Sequence, residues 1–254
     1  MSLTLLTIPI SHYCERARWA LDLTGLDYQE VQRLPPFHRR LSKKLGGRGS
    51  TPLLVTGDEV LSDSADIVAY AAKHGAELYP AEVDREHIDS LSAELAGRFG
   101  IEVRRIAYFH LLPDRALTVR FTGGLAPGYQ KALAKVLFPP LAKRALGLYP
   151  DKVERGLGTI EDTFAAMDRR LEDGRRFFFG DQLSAADLTF AALAAPVVLA
   201  ERYGYMLPTL DEVPANMYEL IEHHRNRPAG QLVLRAYEQR PDSPLWPKLG
   251  VSPS

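Results

Sequence analysis

The sequence predicts an α/β module followed by an all-helical one. Three observations carry that expectation. Apolar, β-rich runs alternate with helical stretches over the first part of the chain. A turn-rich linker follows at Glu77-Leu78-Tyr79-Pro80-Ala81. Beyond it no strand pair is evident, while apolar residues recur at helical spacing.

The elements are read in order. Leu3–Ile8 is an apolar run broken by Pro9 and reads as a strand. Ser11–Leu23 reads as a helix, with Ala17, Ala20 and Leu21 on one face and Gly25 closing it. Tyr28–Val31 reads as a second strand. Pro35–Lys44 reads as a short helix that starts at a Pro-rich turn and ends at Gly46-Gly47. Pro52–Thr56 and Glu59–Leu61 flank Gly57-Asp58, a hairpin signal. Ser62 or Asp63 then caps a helix running to about Lys73. The resulting order, β-α-β-α-β-β-α, matches the thioredoxin-like arrangement among α/β folds.

In the second part, Ile88, Leu91, Leu95, Phe99 and Val103 form one helical stripe, ended by Pro113 and Asp114. Gly123-Gly124 and Pro127-Gly128 break the middle. Further helices are expected over Asp151–Leu171, Ser184–Arg202, Val213–Arg225 and Pro228–Tyr237. The domain limits are accordingly set at 1–76 and 84–254. No repeat or low-complexity tract is present.

Composition narrows the possibilities. The 254 residues are 46% hydrophobic and 25% charged, enough for a sizeable core in one large or two small domains. A net charge of -1 gives no electrostatic reason to expect nucleic acid or an anionic membrane as partner. The lone cysteine, Cys14, excludes an intrachain disulfide and a cysteine-based zinc site, and no metal is expected. It fits a reducing, cytoplasmic setting. The N-terminus lacks a secretory pattern. The apolar run Leu188–Ala200 is too short to span a bilayer and reads as a buried helix.

Three motifs bear on chemistry. Ser11 opens the first helix, where free backbone N–H groups and a partial positive charge favour an anion such as a thiolate. As a plain N-cap it would have the same position. Cys14 lies one turn further on. Asp63 and Ser64 open another helix, and Ser184-Ala185-Ala186-Asp187 has capping-box spacing, assigned to folding.

Taken together, these stretches resemble the glutathione transferase family, in its serine-type classes. Ser11-His12-Tyr13-Cys14-Glu15-Arg16-Ala17-Arg18-Trp19-Ala20-Leu21 resembles the family's opening motif. Thr51-Pro52-Leu53-Leu54 with Leu61-Ser62-Asp63-Ser64-Ala65-Asp66-Ile67 resembles the cis-proline strand and the glutathione clamp. Gly180–Leu188 resembles the capping box of the helical domain.

The resemblance implies a cytoplasmic, homodimeric detoxification enzyme. It would conjugate glutathione, as co-substrate, to an electrophilic, partly apolar small molecule. Ser11 would be catalytic, donating to the glutathione thiolate. Thr51 and a cis Pro52 would meet the cysteinyl backbone, and Asp63 and Ser64 the γ-glutamyl end. His38, Arg39, Arg40, Lys43 and Lys44 are candidates for the glycyl carboxylate. His12, standing where the family has proline, is expected to face solvent. Tyr108–Leu112 and Leu137–Leu141 fall in an extended region that suits a second-substrate pocket, a dimer surface or extra core. Two alternatives remain open: a thiol-disulfide oxidoreductase working through Cys14, and a non-catalytic binding protein on the same scaffold.

Overall fold

The computed structural model describes residues 3–114, 117, 118, 120 and 126–249. A four-stranded sheet has the order β2-β1-β3-β4, with β1 Leu3–Thr7, β2 Tyr28–Gln32, β3 Leu53–Val55 and β4 Val60–Leu61. Strand β1 runs parallel to β2, pairing Leu5 with Glu30. It runs antiparallel to β3, pairing Leu5 with Leu54, and β3 pairs antiparallel with β4. Helices α1 His12–Asp22, α2 Phe37–Lys44 and α3 Ser64–Lys73 complete this thioredoxin-like half, in the expected order.

The rest of the described chain is helical: α4 Arg85–Glu94, α5 Gly100–Leu111, α6 Gly128–Leu146, α7 Pro150–Arg170, α8 Ala185–Val198, α9 Ala215–Arg225, α10 Pro228–Glu238 and a short α11, Trp246–Leu249. Helix α8 is the axis of this half. Every residue in it except Pro196 is buried, as its nearly unbroken apolar sequence requires. It ends earlier than expected because Leu199 turns into the left-handed region at φ 57°. The capping box is formed as read: Ser184 Oγ accepts from the Asp187 N–H, and Asp187 accepts from the Ser184 N–H at 2.9 Å.

Two differences from the sequence reading have physical causes. The stripe from Ile88 to Val103 is two helices joined by a wide π-type turn, Leu95–Phe99. Gly97 leaves helical geometry there, at φ −74° and ψ −116°. Helix α6 was hidden by Pro139 and Pro140 inside it. It is capped by Gly147 in the left-handed region. Gly123-Gly124, read as a break, lie outside the described residues.

Helix α1 joins the two halves. Ala17 and Leu21 pack beneath the sheet with Leu3, Leu5, Leu54 and Ile67. Trp19 and Ala20 enter the large helical core. A helix with apolar residues on both faces must be covered on both, and α1 is, packing against α3 and α8.

Candidate functional site

The site is built where β1 hands over to α1. Ser11 is the N-cap of α1, in extended conformation, with its Oγ accepting the Cys14 N–H at 3.4 Å. Ser11 is half-buried, and its hydroxyl sits at the first turn of α1, whose leading N–H groups have no partner within the helix. Cys14 is fully buried, and burial pushes its thiol pKa up. The same turn therefore leaves Ser11 partly accessible and buries the sulfur completely.

His12 departs from the expectation that it faces solvent. It is only 2% exposed. Its Nε2–H donates to the Gly100 carbonyl at 2.9 Å, while the Tyr13 hydroxyl donates to the Ala96 carbonyl at 2.8 Å. Ala96 lies in the bend between α4 and α5, where Gly97 leaves helical geometry, and Gly100 is the first residue of α5. Burial chiefly, aided by the Arg104 cation, pushes the His12 pKa down to about 3. Gly100 permits this close seat, because a Cβ there would lie 2.5 Å from Tyr13 Oη.

The second part of the site is the loop before β3. The Thr51–Pro52 bond is cis, as the resemblance implied. Pro52 is buried and Thr51 half-buried. The third part is the start of α3. Asp63 is its N-cap, exposed, with Oδ1 accepting the Ala65 N–H at 2.8 Å. Ser64 is buried, and its Oγ accepts from Arg16 Nη1 at 3.3 Å. Arg16 comes from the same helix that Ser11 caps, so one helix supplies the capping hydroxyl and a cation beneath the neighbouring helix start. Burial is the main influence on Arg16, lowering its pKa to about 10 against the pull of Asp63. It remains a cation at neutral pH. Arg16 was not singled out from the sequence; the signal was charged residues at 15, 16 and 18 inside a helix otherwise read as apolar.

Of the basic candidates, Arg39, Arg40, Lys43 and Lys44 are exposed on α2. His38 is half-buried, with its pKa pushed down to about 4 by burial and by Arg39. Among the residues of the extended region, Tyr108 carries a phenol that burial pushes up to about 12. Phe109 and His110, next on the helix, line an open cavity of about 770 Å³ with Pro113, Asp114, Pro214 and Asn216. Nothing is described of the side chains of Leu137 and Phe138.

Comparison with known proteins agrees with this architecture. The family model described as the N-terminal domain of glutathione S-transferase matches residues 5–77, and that of the C-terminal domain matches residues 150–223. The chain belongs to the glutathione S-transferase family.

No curated protein matches the sequence significantly. Among solved structures, the chain is similar to a glutathione S-transferase of Ceriporiopsis subvermispora in complex with glutathione. The two share 17% identity and a TM-score of 0.62, covering 99% of both chains. It is also similar to a glutathione transferase of Phanerochaete chrysosporium, at 15% identity and TM-score 0.63, covering 94% of this chain and 96% of that one. Beta-etherase LigF from a Sphingobium strain is similar at 18% identity and TM-score 0.59, covering 93% and 100%. At these identities the likeness is one of fold.

Proposed function

We propose that the protein is a glutathione transferase that attacks an electrophilic, partly apolar small molecule with the glutathione thiolate. Residues 1–76 form the glutathione-binding half, and residues 84–254 carry the second-substrate site. The observation that carries this reading is the half-buried Ser11 capping the N-terminus of α1, in a chain of the glutathione S-transferase family that is similar in fold to a glutathione complex.

In this reading Ser11 Oγ–H donates to the thiolate. The hydrogen bond and the helix N-terminus lower the pKa of a thiol from its free value of about 8.5. Thr51 and Pro52 offer backbone to the cysteinyl portion as an added strand. Ser64, at a helix N-terminus with Arg16 behind it, suits the γ-glutamyl carboxylate, and exposed Asp63 suits its ammonium. The thiolate attacks carbon and the leaving group departs, with the enzyme contributing orientation and an ionised nucleophile. The cavity beyond Phe109 and His110 is the place assigned to the electrophile. Exposed Ile101, Tyr129, Leu133 and Leu141 on α5 and α6 supply apolar surface for a homodimer.

Complete burial of Cys14 and its raised pKa weigh against a thiol-disulfide reaction through that residue, since the thiolate is the reactive form. The deciding experiment is Ser11→Ala. A lost charge-assisted hydrogen bond of about 1.5–3 kcal/mol corresponds to a drop in kcat/KM of roughly 10- to 100-fold toward an activated aryl halide. The pKa of bound glutathione, followed by thiolate absorbance, should rise with it. Unchanged values of both would exclude the role given to Ser11.

A further inference from the structure

The helical half holds a cluster that the proposed reaction does not use. Glu161 on α7 and His223 and His224 at the end of α9 each bring one donor atom to within 4.8 Å of the others. His223 Nε2 lies 3.0 Å from Glu161 Oε2. His224 is 2% exposed, packs on Phe164 with ring centroids 4.3 Å apart, and has an Nδ1 with no hydrogen-bond partner. A buried polar atom left without a partner is costly and calls for an explanation.

We propose that Glu161, His223 and His224 form a binding site for a divalent transition-metal ion, zinc(II) foremost. Two imidazoles and one carboxylate are a donor set that suits zinc, whereas calcium and magnesium prefer oxygen donors alone. The ion takes the place of the hydrogen bond between His223 Nε2 and Glu161 Oε2, a proton on that nitrogen leaving to solvent, and His224 closes the third side. Three protein ligands leave a fourth position for water. Bonds of about 2.0–2.2 Å place tetrahedral donors roughly 3.3–3.6 Å apart. Glu161 and His223 are exposed, so their side chains are free to close the remaining distance.

The surroundings support the set. The opposite oxygen of Glu161, Oε1, accepts from Arg227 Nη1, and Arg227 Nε donates to Asp168 Oδ2 at 2.8 Å. The carboxylate is thus oriented from behind, as metal-ligating carboxylates commonly are. Asp168 offsets the Arg227 charge that would oppose an incoming cation. The expectation that no metal binds rested on the single cysteine. It did not weigh two adjacent histidines that meet a carboxylate 62 residues earlier in the chain.

The test uses the full chain, stripped with a chelator and dialysed into zinc-free buffer. Calorimetric titration with zinc chloride should show one ion per chain, and zinc should raise the thermal midpoint. Cobalt(II) chloride should give visible ligand-field bands that zinc abolishes. His223→Gln and Glu161→Gln, both at exposed positions, should each weaken zinc binding by at least about tenfold to hundredfold. Glutathione binding, measured without zinc, should stay unchanged in both, which separates this site from the proposed active site. No zinc uptake by the unaltered protein, or full-affinity uptake by both variants, would overturn the proposal.

Discussion

His12 shows how much one side chain's environment changes its chemistry. On a first turn it looked solvent-facing, yet it is locked into the contact between α1 and α5. Its folded pKa of about 3 lies below the ordinary value of 6.5. Between those values the unfolded chain binds a proton that the folded chain does not, so stability falls as pH drops from about 6.5 toward 3. At pH 4 the contribution is on the order of 3 kcal/mol. His12→Gln keeps a donor for the Gly100 carbonyl and removes the titration. Urea unfolding at pH 7 and pH 4 should show a shallower acid loss in the variant. Equal losses in both proteins would count against His12 as a source of acid sensitivity.

At this scale the sequence was legible where a residue's role is local. Asp63 and Ser184 were readable as caps because capping depends on neighbours two or three residues away. The placement of His12 and the Arg16–Ser64 contact were not, because each depends on a partner 88 or 48 residues distant.

At the scale of elements, the π-type turn between α4 and α5 decides how α1 is seated. The Ala96 carbonyl in the turn and the Gly100 carbonyl at the start of α5 accept from Tyr13 and His12, and the missing side chain at Gly100 lets Tyr13 approach. Gly100→Ala should therefore cost about 1–3 kcal/mol through overpacking. Tyr13→Phe alone loses the bond to Ala96 but relieves the tightest contact. The double variant should be more stable than the sum of the two losses predicts, by an amount read from a double-mutant cycle. Strict additivity would mean that the Tyr13 hydroxyl does not limit the approach. Ser184→Ala, at the cap of α8, should cost about 1 kcal/mol in denaturant unfolding.

Element existence followed well from periodicity. What periodicity missed was helix α6, whose two prolines read as breakers, the short α11, the early end of α8 at Val198, and the π-type turn, which continues an apolar stripe without interrupting it.

Across the whole molecule, a buried charge network ties the beginning of the chain to its far end. Arg18 is fully buried and pairs with Glu30 at 2.9 Å, also donating to the Pro9 carbonyl at 2.8 Å. Arg240, equally buried, pairs with Glu15 at 2.8 Å and with Asp22 at 2.9 Å. Glu15 also accepts the Gly204 N–H at 2.9 Å, and a Cβ at Gly204 would lie 2.1 Å from the Arg240 guanidinium. Removing one member of a buried pair strands the other, so Arg240→Ala should destabilise the protein by about 3–5 kcal/mol. Chemical denaturation measures this, and a loss below about 1 kcal/mol would mark the pair as no stronger than a surface one. None of this was apparent from the sequence, where Arg240 stands in an unremarkable Gln-Arg-Pro stretch.

The reach of that pair also concerns how the protein is made. Glu15 emerges from the ribosome 225 residues before Arg240. At about 5–20 residues per second, that is a wait of roughly 11–45 s. During that interval Glu15 and Asp22 are without their guanidinium partner. The first helix can settle fully only after the last helices arrive. Synthesis order therefore makes the segment around Arg240 the one that completes the charge pairing of α1.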